Sequence, residues 1–184
     1  MILDSQLNFV PIGGNLSLIA AAGVDIPSTN VIDLLGTGVG TPPAAIIGNA
    51  STFGMDPGIG GERVELNCVI GTALVSAGGG TVNTKLQYAA DLGSGGNYQP
   101  DTWQTVAETG PKTAAELAAQ TVFARFPWLP AAPANLRPRF VRLLFSVETA
   151  AVTAGTVAAA LVTPTRDDQA NKNATNNYKT ANNQ

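Results

Sequence analysis

Thr81-Val82-Asn83-Thr84-Lys85-Leu86-Gln87-Tyr88-Ala89-Ala90 is the stretch that decides the fold class. Val82, Thr84, Leu86 and Tyr88 occupy every second position, and Asn83, Lys85 and Gln87 fill the places between. Side chains on a strand point to alternate faces, so this pattern predicts a strand with one buried and one wetted face. The same period recurs on both sides of it. In Arg63 to Thr72, Val64, Leu66, Cys68 and Ile70 share a face, with Glu65 and Asn67 opposite. Cys68 then reads as a small core residue. Thr121 to Phe126 and Arg139 to Val147 read as further strands. The latter places Val141, Leu143, Phe145 and Val147 on one face and Phe140 and Leu144 beside Arg142 on the other. Apolar residues on both faces mark a central strand. Thr149 to Thr163 is expected to form a hairpin, completed by the alanine-rich strand Gly155 to Thr163.

Helical periodicity is almost missing. Thr113-Ala114-Ala115-Glu116 has the form of a capping box, which predicts a short helix over Thr113 to Ala119 as a sheet-to-sheet connector. Gly36 to Gly61 and Pro127 to Pro138, rich in glycine and proline, read as loops, the first following an expected strand from Asn30 to Leu35. These signs together predict an all-β, antiparallel β-sandwich with long loops. A body over residues 1–163 is followed by a polar tail over 164–184 that lacks large apolar groups except Tyr178.

Composition narrows the function. The 184 residues include 10 Lys and Arg and 13 Asp and Glu, about half the usual charged share, and residues 34–55 carry no charge at all. A soluble monomer needs charge to hydrate its surface, so a chain this neutral is expected to cover part of its exterior with other subunits. Histidine is absent and Cys68 is the single cysteine, which leaves neither a disulfide framework nor a Cys/His metal cage within one chain. No cofactor is expected. The net charge of −3 and the scattered Arg137, Arg139 and Arg142 argue against nucleic acid. The N-terminus has no basic region ahead of an apolar core, and no stretch is apolar enough to span a bilayer, so synthesis in a cytosol and no membrane partner are expected.

Three motifs fail on inspection. Gly36-Thr37-Gly38-Val39-Gly40 has the glycines of a dinucleotide turn, but Pro42 and Pro43 follow where a helix must begin. Asp91-Leu92-Gly93-Ser94-Gly95-Gly96-Asn97 offers oxygens for calcium, yet Gly93 stands where a ligand is required. Asp33, Asp56, Glu62 and Glu65 could supply a carboxylate pair, but there is no histidine base and no nucleophile signature, so an enzyme is not expected.

Several stretches in order resemble the capsid cement, or decoration, proteins of tailed bacteriophages, of the jelly-roll kind found in a Bordetella phage and its relatives. Ile2-Leu3-Asp4-Ser5-Gln6-Leu7-Asn8-Phe9 is similar to the family's start, and Ser28-Thr29-Asn30-Val31-Ile32-Asp33-Leu34 to its first strand. Gly60-Gly61-Glu62 leading into Val64 to Ile70 resembles the next one. Leu136-Arg137-Pro138-Arg139-Phe140-Val141-Arg142-Leu143 with Gly155-Thr156-Val157-Ala158-Ala159 resembles the closing pair. The resemblance spans residues 2–163; Ala44 to Ile59 and the asparagine-rich tail depart from it.

This resemblance implies a jelly-roll-like sandwich that sits on the outer capsid surface of a virion and bridges neighbouring major capsid protein subunits, itself a homo-oligomer (dimer or trimer) made in a bacterial cytoplasm. It brings no catalytic residues. The N-terminal strip, the Gly36 to Gly61 loop and the tail lack a core of their own, which makes Ile2, Leu3, Leu7, Phe9, Ile46, Ile47, Phe53 and Tyr178 the expected partner contacts. The competing reading of Leu3, Leu7 and Phe9 is an edge strand of the sandwich. A sugar-binding jelly roll is the alternative function; it needs an aromatic platform, and Trp103 and Trp128 flank expected loops without forming an evident one.

Overall fold

The computed structural model describes residues 8–33, 64–92, 99–127 and 138–164. They form ten strands: β1 (Asn8–Val10), β2 (Leu16–Ser17), β3 (Asp25–Pro27), β4 (Ile32–Asp33), β5 (Val64–Ile70), β6 (Thr81–Ala89), β7 (Gln104–Thr113), β8 (Val122–Pro127), β9 (Phe140–Glu148) and β10 (Thr156–Pro164). One sheet runs β1-β10-β5-β8, with β2 also on β10; the other runs β3-β9-β6-β7, with β4 also on β9. Every pairing is antiparallel. The pairs are nested: β6 lies on β7, β5 on β8, β3 and β4 on β9, and β1 and β2 on β10. A chain doubled back on itself and rolled so that successive pairs alternate between sheets has the topology of a jelly roll. The expected antiparallel jelly-roll sandwich is therefore the fold.

The alternation read from the sequence sets the core. Val82, Thr84, Leu86 and Tyr88 of β6 face inward beside Val141, Leu143, Phe145 and Val147 of β9, and all are buried. Opposite them pack Phe9, Leu66, Cys68, Ile70, Ala124, Phe126 and Val157 from the other sheet. Each large apolar side chain buried there contributes about 1.5–3 kcal/mol. A register shift between Cys68 and Val69 leaves room on β8 for Phe123, whose ring meets that of Phe145 at 6.3 Å between centroids. β9 lies between β6 and the β3 and β4 strands, the central position its two apolar faces predict.

Two sequence expectations are corrected. Thr149 to Thr163 is not a hairpin: β9 and β10 belong to opposite sheets, and residues 149–155 cross between them. The helix over Thr113 to Ala119 is also absent. One half of the capping box does form, with the Thr113 N–H donating to Glu116 Oε2 at 2.9 Å, but the Thr113 hydroxyl also donates to that carboxylate, and one turn closes from Leu117 N–H to Thr113 O at 3.1 Å. Leu117 is then buried in the core and its carbonyl accepts from Leu74 N–H, so the chain leaves the helical path after a single turn. The strand expected over Asn30 to Leu35 is described only as Ile32–Asp33, and its last two residues lie outside the described part.

Candidate partner-binding surface

The strand registers give the sandwich two distinct ends. At one end lie Ile70, Thr81, Thr113, Glu148 and Thr156; at the other lie Ala89, Gln104, Pro127, Phe140 and Pro164. They are here called the Gly155 end and the Arg139 end.

The Gly155 end is built from residues 18–24, 71–80 and 149–155. The Leu18 N–H donates to Gly155 O at 2.9 Å, Ala20 and Val152 exchange both backbone hydrogen bonds, and Val75 N–H donates to Ala154 O at 2.8 Å. The segment 152–155 is thus paired on both sides. Val152 turns inward, while Ile19 on one flank and Val75 on the other stay 60% and 52% exposed, with Thr153 exposed between them. Val24, also exposed, joins the same end through the Val147 N–H bond to its carbonyl. Close approach shapes this end. A Cβ on Gly80 would stand 2.5 Å from Ala150 O, and Gly155 adopts a φ of 146° with Leu74 Cδ1 2.8 Å from where its Cβ would be. Residues 9–24, 66–84 and 149–165 contain no Asp, Glu, Lys or Arg, so these segments bring a partly apolar surface together, with Glu148 and the Lys112–Glu116 pair at its margin.

The Arg139 end is different. Arg139 donates from Nε and Nη2 to the two carboxylate oxygens of Asp33 at 3.0 and 2.9 Å, and from Nη1 to Asp91 at 2.7 Å. Its side chain is 12% exposed. The hydrogen bond to Asp33 raises its pKa further, so it stays charged. Asp91 also accepts from the Gln99 N–H at 3.2 Å, which commits to protein donors the carboxylate that opened the calcium-like motif. By strand register Asn8, Asp33, Val64, Pro127 and Pro164 all lie toward this end, and Leu92, Gln99 and Pro138 stand just past Ala89 and Phe140. The N-terminal strip, the Gly36 to Gly61 loop and the tail, all expected to touch partners, are therefore joined to the sandwich at one end.

Of the expected contact residues, Phe9 is fully buried. It belongs to β1, whose Asn8 and Phe9 carbonyls accept from the Asn30 side chain and backbone, so it sits in the core as an edge-strand residue and offers no contact surface. Ile2, Leu3, Leu7, Ile46, Ile47, Phe53 and Tyr178 lie outside the described residues. Ile19 and Val75 escape sequence reading, because each follows a leucine that takes the buried position, Leu18 and Leu74, and nothing in so short a segment says which of the two apolar neighbours faces out. Trp103 meets Arg142 across the outer face of the second sheet with the guanidinium carbon 4.2 Å from the ring centroid. That stacked cation occupies one face of the ring. The chain matches no family model and no curated protein.

Proposed function

We propose that this protein is a capsid cement subunit, which binds the outside of an assembled bacteriophage shell and bridges neighbouring major capsid subunits. The observation that carries the reading is the pair of unlike ends: one whose segments 18–24, 71–80 and 149–155 carry no Asp, Glu, Lys or Arg and expose Ile19, Val24 and Val75, and an opposite one that holds Asn8 and Pro164, the residues next to the N-terminal strip and the tail. A bridge needs two separated contacts. Jelly rolls also serve as lectins and enzymes, so the fold alone does not select this role.

The energetics of such a clamp are modest at each contact. A ligand that binds only the assembled state stabilises it by the free energy of its own attachment. Once one end is bound, the second contact forms at a high effective concentration, and overall affinity exceeds that of either end. Internal DNA pressure that pulls capsomers apart then works against both contacts together.

Co-sedimentation tests the reading. The full chain is expected to pellet with mature shells and to stay in solution with dissociated major capsid protein. Equal recovery with both, or with neither, would remove the clamp. Firm binding of the isolated protein on a glycan array would favour the sugar-binding alternative.

A further inference from the structure

We propose that Arg142 is the receptor for a carboxylate side chain of the protein on which this subunit docks, a contact that deepens the capsid-binding reading and rests on it for the partner's identity. The residue lies on the outer face of β9, in register with Gln87 of β6, which is in turn in register with Thr105 of β7. The three side chains form a relay: Arg142 Nε donates to Gln87 Oε1 at 2.9 Å, and Gln87 Nε2 donates to Thr105 Oγ1 at 3.1 Å. Trp103 covers one face of the guanidinium. With Nε and one face occupied, the donors left open are those of the edge carrying Nη1 and Nη2. Among the described residues neither nitrogen has a hydrogen-bond partner.

The contrast with Arg139 is informative, since that arginine immediately precedes β9 and Arg142 lies three positions further on, within the strand. Arg139 has Nε, Nη1 and Nη2 all engaged by Asp33 and Asp91. The carboxylates on the face of Arg142 are engaged elsewhere: Asp25 accepts from Ser146, Glu148 pairs with Lys85, and Glu108 accepts from Asn83. Partial burial disfavours the charge of Arg142, and the attraction of Asp25 only partly offsets it. A planar two-donor edge matches a carboxylate in bidentate geometry. The polar groups beside it already satisfy one another, so little remains for the several hydroxyls of a sugar. Arginine and tryptophan are also the side chains most enriched where interfaces concentrate their binding energy.

The test uses the full chain with Trp128→Phe, which leaves Trp103 as the fluorophore. Titration with poly-L-glutamate is expected to change Trp103 emission, and Arg142→Gln is expected to weaken the response at least about tenfold. Arg142→Lys keeps the charge without the two-donor edge and is expected to lose most of the response, whereas Lys85→Gln on the same face retains it. Equal responses from the parent and Arg142→Gln, no response from either, or a response to polygalacturonate in place of polyglutamate would each overturn the proposal. In shell co-sedimentation, Arg142→Gln should bind at least about tenfold more weakly. Undiminished binding by Arg142→Gln would sink this contact while leaving the clamp standing. A parent chain that ignores shells would sink the clamp, with the polyglutamate titration still deciding the carboxylate chemistry.

Discussion

Thr84 brings a hydroxyl into the middle of an apolar core. It stands on the inward face of β6 opposite Phe145, is fully buried, and its Oγ1 has no hydrogen-bond partner among the described residues. A buried hydroxyl without a partner costs about 1–3 kcal/mol. Replacing it with valine keeps the branched shape and removes the stranded oxygen. Thr84→Val should raise the unfolding free energy by about 1 kcal/mol, as measured by urea denaturation, and a fall would mean that the hydroxyl has a role hidden from the geometry. The inward direction of Thr84 was legible from spacing alone, as was the burial of Cys68, whose thiol pKa burial pushes up. Phe9 was not legible in that way. Its short strip of alternation suits an exposed contact or an edge strand equally, and what decides is Asn30, distant in sequence, bonding the Asn8 side chain at 2.8 Å and the Phe9 carbonyl at 2.9 Å.

Strands with strong alternation, β5, β6 and β9, were legible to within a residue or two, because their inner faces are apolar and register is fixed by burial. β7 was not. Gln104–Thr113 lies at a sheet edge with few large apolar residues, and Gly110 at a φ of 73° beside Pro111 marks an irregularity in its pairing with β6. Bulges and prolines belong to edges. The turn that follows shows why a correct local motif predicted the wrong element: the capping contacts at Thr113 are real, yet burial of Leu117 outweighs continuation of the helix. These contacts have a pH signature. Hydrogen bonds from the Thr113 backbone, then from Lys112 and the Thr113 hydroxyl, lower the Glu116 pKa from 4.5 to about 2. A carboxylate with a depressed folded-state pKa contributes stability that is present above its unfolded value and lost as pH falls toward the folded one. Glu116→Gln should therefore flatten the decline in thermal stability between pH 4.5 and about 2, and unchanged slopes would show the turn to be energetically idle. Arg139 ties together β4, β9 and the connection after β6, so Arg139→Ala takes the neutralising guanidinium from two partly buried carboxylates. A loss of about 2–3 kcal/mol is expected in chemical denaturation, and a loss below about 0.5 kcal/mol would place the cluster among inconsequential surface pairs.

At the scale of the molecule, the pairing order of the ten strands could not be read from periodicity, which assigns faces and leaves partners open. Only the resemblance supplied a nested topology, and the crossing of residues 149–155 between sheets overturned the simplest guess of a hairpin. That crossing creates the Gly155 end, so the surface exposing Ile19 and Val75 depends on a connection that local sequence misrepresents. A clamp using both ends makes a quantitative demand: disabling either contact should remove the avidity while leaving a residual single-site affinity. The N-terminal arm must be cut before Asn8, because removing Phe9 would excavate the core and confuse unfolding with lost binding. Deletion of residues 1–7 and, separately, the pair Ile19→Glu and Val75→Glu are each expected to preserve the thermal transition, the substituted sites being exposed. Each should weaken shell binding by about ten- to a hundredfold in co-sedimentation. Combining them should weaken binding further than either alone, leaving Arg142 and the other segments of the Arg139 end as the residual contact. If the glutamate pair bound as well as the parent, the Gly155 end would be ordinary surface, and the bridging geometry would have to be built from the Arg139 end alone.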